Sequence, residues 1–165
     1  MTERFCDIAM IVNGEEVRER VDARKTLVDF LREDVALTGS HVGCEHGVCG
    51  ACTVRVDGVV VRGCLLLAVQ CDGARVDTIE GVAETPEIAD LQRAFIERNA
   101  LQCGYCTPGM LLTAQELLAA GGVPSREAIR LYLSGNYCRC TGYQAIVDAV
   151  EAVAQARAEG KQVRS

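Results

Sequence analysis

The chain has 165 residues, of which 49% are apolar, and a formal net charge of −6. This length accommodates one ordinary domain or two small ones. The acidic balance excludes a typical nucleic-acid binder, which needs a basic surface to offset phosphates. The sequence contains no run of 18 uncharged apolar residues and no secretory signal over Met1 to Gly14. We therefore expect a cytoplasmic protein with neither nucleic-acid nor membrane partners.

The first half of the sequence predicts strands around one helix. Alternating side chains indicate strands, and Asn13-Gly14 and Asp57-Gly58 are strong hairpin turn signals. Thr26 can cap a helix that ends at Leu37-Thr38-Gly39. The predicted elements are strands 8–12 and 17–21, the helix that follows Thr26, strands 53–56 and 59–62, and a last strand over 76–79. This order predicts a small α+β domain over residues 1–81.

The second half predicts four helices with short connections. Thr85-Pro86 is typical of a helix start, and Thr107-Pro108 suggests an N-cap followed by the first helical residue. The predicted helices begin at Thr85 and then cover 107–120, 125–134 and 143–158. Short loops between four amphipathic helices indicate a compact bundle. We place this second domain over residues 82–165.

Ten cysteines are the most unusual feature of the composition. Disulfides are rare in the cytoplasm, so these thiols must be buried, reactive or bound to metal. Cys6 and Cys71 stand alone and are interpreted as small buried apolar residues. The other eight form two groups of four, one in each predicted domain, and four thiolates complete the ligand set of a zinc ion or an iron–sulfur cluster.

The spacing of the first group favours iron and sulfide over zinc. Zinc sites usually draw their cysteines from two short pairs, whereas here three come from one loop and the fourth arrives alone. The C-x4-C-x2-C…C spacing is that of plant-type [2Fe–2S] proteins. Glycines in the loop allow the backbone to bend and bring its N–H groups near the sulfurs. The ligands predicted for this cluster are Cys44, Cys49, Cys52 and Cys64.

The spacing of the second group does not distinguish zinc from an iron–sulfur cluster. A C-x2-C followed by a C-x-C can hold zinc or an iron–sulfur cluster, and the spacing leaves both possibilities open. The candidate ligands are Cys103, Cys106, Cys138 and Cys140.

Three longer motifs extend this pattern into a family resemblance. They are Gly47-x-Cys49-Gly50-Ala51-Cys52-Thr53-Val54, Gln102-Cys103-Gly104-Tyr105-Cys106-Thr107-Pro108-Gly109-Met110, and Gly135-Asn136-x-Cys138-Arg139-Cys140-Thr141-Gly142-Tyr143. In this order they resemble the iron–sulfur subunit of the xanthine oxidase family of molybdenum hydroxylases. The resemblance extends over roughly residues 5 to 155. It implies a plant-ferredoxin-like β-grasp domain, a four-helix bundle and a [2Fe–2S] cluster in each.

The resemblance also implies partners and a direction for the electrons. A large subunit would carry molybdopterin and a medium subunit FAD, in a heterotrimer that is often doubled. Electrons would leave molybdenum, cross the cluster of the helical domain, then that of the ferredoxin-like domain, and reach FAD. Gln102 matches a glutamine that approaches the pterin, and Cys140 matches the cluster ligand that the pterin edge contacts. The chain would carry electrons without turning over a substrate itself.

Two other functions remain as alternatives at this point. A two-site zinc adapter that only holds partners together would be redox-silent, and a free-standing ferredoxin-like carrier would have no use for a pterin-facing glutamine. His41 and His46 flank the first cysteine loop, but four cysteines are already available there, so histidine ligation of the Rieske kind is disfavoured.

Overall fold

The computed structural model describes residues 4–160. Its first half contains five strands: β1 (Phe5–Val12), β2 (Glu15–Asp22), β3 (Thr53–Val56), β4 (Val59–Arg62) and β5 (Arg75–Asp77). They form one mixed sheet in the order β2-β1-β5-β3-β4. β1 pairs with β2, β3 with β4 and β3 with β5 in antiparallel fashion, while β1 and β5 run parallel. Both predicted hairpins are therefore confirmed.

A short helix packs its apolar side against this sheet. α1 (Leu27–Asp29) continues as a π-helical turn over Phe30–Asp34. The Thr26 hydroxyl accepts a hydrogen bond from the Asp29 N–H, as the sequence predicted. The helix ends earlier than predicted because Ala36 adopts a left-handed backbone with φ of 61°. Together with the sheet it forms the first hydrophobic core, which includes Met10, Phe30, Leu31, Val54 and Val76.

The second half is helical. Its helices are α2 (Ile79–Ala83), α3 (Ala89–Glu97), α4 (Thr107–Ala119), α5 (Arg126–Tyr132) and α6 (Gln144–Ala158), with a 3-10 turn over Leu133–Gly135. They enclose a second core that includes Leu91, Phe95, Met110, Ile129, Ile146 and Val150. No helix in residues 4–160 has the length and apolar character needed to cross a membrane.

Two predicted boundaries and one predicted N-cap in this region were wrong. The last strand ends at Asp77, and Ile79 instead begins α2. Thr85 does not start a helix, because its hydroxyl donates to the Val82 carbonyl at the end of α2, and α3 begins at Ala89. Thr107 is not an N-cap: that position belongs to Cys106, and the buried Thr107 hydroxyl has no hydrogen-bond partner.

A carboxylate on α4 joins the helices to the edge of the sheet. One oxygen of Glu116 accepts a hydrogen bond from the Val60 N–H on β4 at 2.8 Å. The other accepts from the Tyr132 hydroxyl of α5 at 2.6 Å, and this hydrogen bond raises the pKa of Tyr132 to about 12. The predicted division at residue 81 falls within α2 and stays a prediction.

Candidate metal centres

The first cysteine group surrounds the loop that enters β3. Cys52 immediately precedes β3 and Cys64 follows β4, and these two residues are 2% and 8% exposed. The His41 N–H donates to the Ala51 carbonyl at 3.1 Å, which closes the loop that carries Cys44 and Cys49. The Gly63 N–H donates to the Cys52 carbonyl at 3.0 Å and holds the strand ends together. The fold thus gathers all four predicted ligands around one end of the β3–β4 hairpin.

Glycines in this loop stand where a side chain would collide. A Cβ atom on Gly43 would lie 3.1 Å from the Cys49 sulfur. Gly50 has a φ of +75°, and its Cβ would lie 2.5 Å from the Gly135 carbonyl oxygen. The loop therefore presents bare backbone to the thiols and to the second half of the chain.

The loop backbone also favours negative charge on its first thiol. The Cys49 N–H donates to the Cys44 sulfur at 3.4 Å. This hydrogen bond, with a further one from the His46 N–H, lowers the pKa of Cys44 to about 6. In contrast, burial raises the pKa of Cys52 to about 11, so a bound cation would be needed to hold it as a thiolate at neutral pH.

The second cysteine group is formed by two separate loops. Cys103 and Cys106 precede α4, and Cys138 and Cys140 precede α6. The sulfurs of Cys103 and Cys140 lie 3.5 Å apart, and both residues are exposed. Burial raises the pKa of Cys106 to about 12, and its thiol also interacts with that of Cys138. The Cys138 sulfur lies 3.1 Å from the Thr141 hydroxyl.

These donor sets suit a sulfide-bridged iron cluster. Within residues 4–160 no three His, Cys, Asp or Glu side chains converge as ligands of one metal ion. Each group instead supplies four thiols in close electrostatic contact with one another. In the first group the backbone N–H donors and the glycine cradle match what a negatively charged cluster requires. The residues present therefore fit a [2Fe–2S] cluster in each half.

The other predicted site residues lie around these groups. Gln102 and Arg139 are exposed beside Cys103 and Cys140. The His41 ring stacks on Tyr105 with centroids 4.4 Å apart, and its Nδ1 lies 2.8 Å from the Tyr105 carbonyl oxygen. The His46 Nδ1 contacts the Cys44 carbonyl oxygen.

Direct contact between the two cysteine loops was not foreseen from the sequence. The Tyr137 N–H donates to the Cys49 carbonyl at 2.8 Å. Tyr137 adjoins Cys138, so this hydrogen bond joins a predicted ligand of the first group to the residue next to a predicted ligand of the second. The Tyr105 hydroxyl donates to the Val42 carbonyl at 2.7 Å and makes a second connection. Both contacts join residues that are distant in the chain, so no local sequence signal predicts them. Cys49, Tyr105 and Tyr137 do lie within the three motifs, which is the one signal that could have pointed to them.

Two stretches of the chain match known domain families. Residues 10–77 match the family described as "2Fe-2S iron-sulfur cluster binding domain". Residues 78–151 match the family described as "[2Fe-2S] binding domain". Fold and thiol groups together thus define an iron–sulfur protein with two cluster-binding units.

Individual relatives show which kind of iron–sulfur protein this chain resembles. The chain is 50% identical over 149 residues to the caffeine dehydrogenase subunit gamma of Pseudomonas sp. (strain CBB1), which covers 88% of this chain and 89% of the relative. It is 53% identical over 144 residues to the nicotine 6-hydroxylase small subunit of Paenarthrobacter nicotinovorans, covering 87% of each. A chain of the crystal structure of quinoline 2-oxidoreductase from Pseudomonas putida 86 superposes with a TM-score of 0.87 at 46% identity, over 96% of this chain and 99% of that one.

The chain belongs to the small iron–sulfur subunits of the xanthine oxidase family of molybdenum hydroxylases. The resemblance drawn from its motifs is thereby confirmed, as is its role as an electron-transfer component of an oxidoreductase. A zinc adapter receives no support from these relatives.

Proposed function

We propose that this chain relays electrons from a molybdopterin centre in a large subunit toward FAD in a medium subunit or toward another acceptor. The observation that carries the proposal is the hydrogen bond from the Tyr137 N–H to the Cys49 carbonyl, because Cys49 belongs to the first set of four thiols and Tyr137 adjoins Cys138 of the second. When bound, each [2Fe–2S] cluster supplies a site that accepts and donates one electron. A relay needs two such sites close together, and this chain provides a direct main-chain connection between them.

The proposed ligands divide between the two halves of the chain. Backbone N–H donors lower the pKa of Cys44, whereas burial raises that of Cys52, so the first set combines a thiol that ionises readily with one that would need the bound cluster to hold it as a thiolate. The full sets are Cys44, Cys49, Cys52 and Cys64 for the first cluster, and Cys103, Cys106, Cys138 and Cys140 for the second. No thiol is shared between the sets, so each half of the chain binds its own cluster.

Exposure supports the proposed orientation of the relay. Cys103 and Cys140 are exposed, and so is Gln102 beside them. We assign this surface to the large subunit, with Gln102 and Cys140 facing the pterin. The first cluster then faces the flavin-carrying subunit. The hetero-oligomer is proposed as a heterotrimer that can pair into a dimer, with a cytoplasmic location, a β-grasp first domain (1–81) and a four-helix second domain (82–165).

Metal and sulfide analysis tests this proposal directly. Purified protein should contain about four iron and about four acid-labile sulfide atoms per chain, because each [2Fe–2S] cluster holds two of each. Copurification with a molybdenum-containing chain should accompany this content. Zinc in place of iron, or a chain that purifies with iron but never with a molybdenum-containing partner, would contradict the proposal.

A further inference from the structure

Asn136 is a buried polar residue at the contact between the two cysteine loops. Its side chain is 1% exposed, two residues before Cys138. The amide nitrogen donates to the Gly50 carbonyl at 3.3 Å and to the Thr53 hydroxyl at 3.4 Å. The amide oxygen accepts from the Thr113 hydroxyl at 3.1 Å. A carbonyl can only accept hydrogen bonds, so the amide must face Gly50 with its nitrogen.

Arg62 completes this network from the end of β4. One guanidinium nitrogen donates to the Thr53 hydroxyl at 2.6 Å. The other donates to the Gly135 carbonyl at 2.9 Å and to the Asn136 amide oxygen at 3.1 Å. The Thr53 hydroxyl in turn donates a hydrogen bond to the Gly50 carbonyl at 2.6 Å. Arg62 therefore spans the two halves with a planar fork, which a lysine ammonium cannot reproduce.

The network lies directly beside the main-chain connection between the loops. Gly50 follows Cys49, whose carbonyl accepts from Tyr137, and Asn136 precedes Tyr137. Helix α4 also approaches the Gly50 carbonyl closely, because a Cβ atom on Gly109 of α4 would lie 2.3 Å from the Gly50 oxygen. Any change that moves Gly50 away from Asn136 must also lengthen the connection from Tyr137 to Cys49.

We propose that Asn136 and Arg62 are positioning residues that fix the separation of the two cluster sites and so control electron exchange between them. This inference rests on the proposed function, since it presumes a cluster at each cysteine group. Neither side chain belongs to a predicted ligand set, so each can be changed while all eight thiols remain. The network acts through geometry: the amide and the fork hold the Gly50 carbonyl against the Gly135–Tyr137 backbone.

The test compares three variants in the complex purified with its partner chains. Asn136→Ala removes the amide, and Arg62→Lys keeps the positive charge but loses the fork. Thr78→Val is the matched control, because it removes a buried threonine hydroxyl that bonds to Asn13 and Glu80 and takes no part in the network around Asn136. The measurements are iron content, the magnetic splitting between the two reduced clusters in electron paramagnetic resonance, and the rate of electron equilibration after rapid reduction.

We expect the first two variants to keep both cluster signals while the splitting shrinks and equilibration slows severalfold, with Thr78→Val like the wild type. Hydrogen exchange of the Tyr137 amide in the cluster-free chain should also accelerate in Asn136→Ala and Arg62→Lys only. If Asn136→Ala does not fold, Arg62→Lys decides the matter. Unchanged splitting and rate in folded variants, or equal changes in Thr78→Val, would overturn the inference alone. A wild-type protein without two clusters would overturn the proposed function as well.

Discussion

The two cysteine groups differ in how much the chain covers them. In the first, Cys52 and Cys64 are buried, and the loop supplies backbone N–H donors. In the second, Cys103 and Cys140 are exposed. A thiol-bound cluster needs shielding from water and oxidants, and in the first group Cys52 and Cys64 pack with Val28 and Val42. Among residues 4–160 nothing covers Cys103 and Cys140 to the same extent, which fits a site that another subunit closes.

The largest expected effect is the loss of one cluster when one of its ligands is replaced. Cys49→Ser should abolish the paramagnetic signal of the first cluster and leave that of the second, while Cys106→Ser should do the reverse. Each change removes one ligand from a four-thiolate set, and iron should fall to about two atoms per chain. Electron paramagnetic resonance of the reduced protein, with iron analysis, measures both.

Cys6→Ser is the control for this pair, because Cys6 lies on β1 outside both groups. It should retain both signals. Loss of both signals from a folded Cys49→Ser or Cys106→Ser protein would refute the division of ligands between the halves.

A pair of glycines tests whether the first loop is the more tightly enclosed. Gly50 and Gly104 have similar left-handed backbones, with φ of +75° and +83°, but only Gly50 has atoms within reach of an added Cβ. Gly50→Ala should cost about 3 kcal/mol of unfolding free energy, from backbone strain plus a collision. Gly104→Ala should cost about 1 kcal/mol, from strain alone. Urea unfolding of the two variants gives these values, and equal losses would mean that the loops are equally enclosed.

The smallest effect concerns thiol ionisation in the cluster-free chain. The pKa of Cys44 is lowered to about 6, whereas burial raises that of Cys106 to about 12. At pH 7 Cys44 is mostly thiolate, and iodoacetamide should modify it about fourfold faster than a thiol of ordinary pKa. Its labelling rate should fall as pH decreases through 6, because protonation removes the nucleophile.

Mass spectrometry of tryptic peptides at several pH values follows each cysteine separately. Cys44→Ser should remove the fast phase, and a fast phase that survives this change would assign it to another thiol.

Local signals predicted most of the first half correctly. Asn13-Gly14 and Asp57-Gly58 determine two-residue turns by backbone preference alone, so both hairpins were predictable. Thr26 caps its helix through a hydrogen bond to the N–H three residues later, as the sequence predicted. Family resemblance then supplied the assignment of the second cysteine group, which spacing had left open.

Features that depend on distant partners were not predictable in this way. Thr85 and Thr107 have the residue type of an N-cap, yet the Thr85 hydroxyl bonds backward to α2, and Thr107 is itself the first residue of α4 with its hydroxyl buried. Asn136 stood within a recognised motif but had no assigned role, since its partners Gly50, Arg62 and Thr113 are 23 to 86 residues away. Only the packed fold brings these groups together.

The Glu116 carboxylate has a further consequence for solubility. β4 is an edge strand, and an edge with free N–H groups can recruit a strand from another molecule and begin aggregation. Glu116 occupies the Val60 N–H and places negative charge along that edge. The opposite edge, β2, carries Glu16, Arg18, Glu19 and Arg20. Charged side chains along both edges of the sheet thus oppose its pairing with a neighbouring molecule.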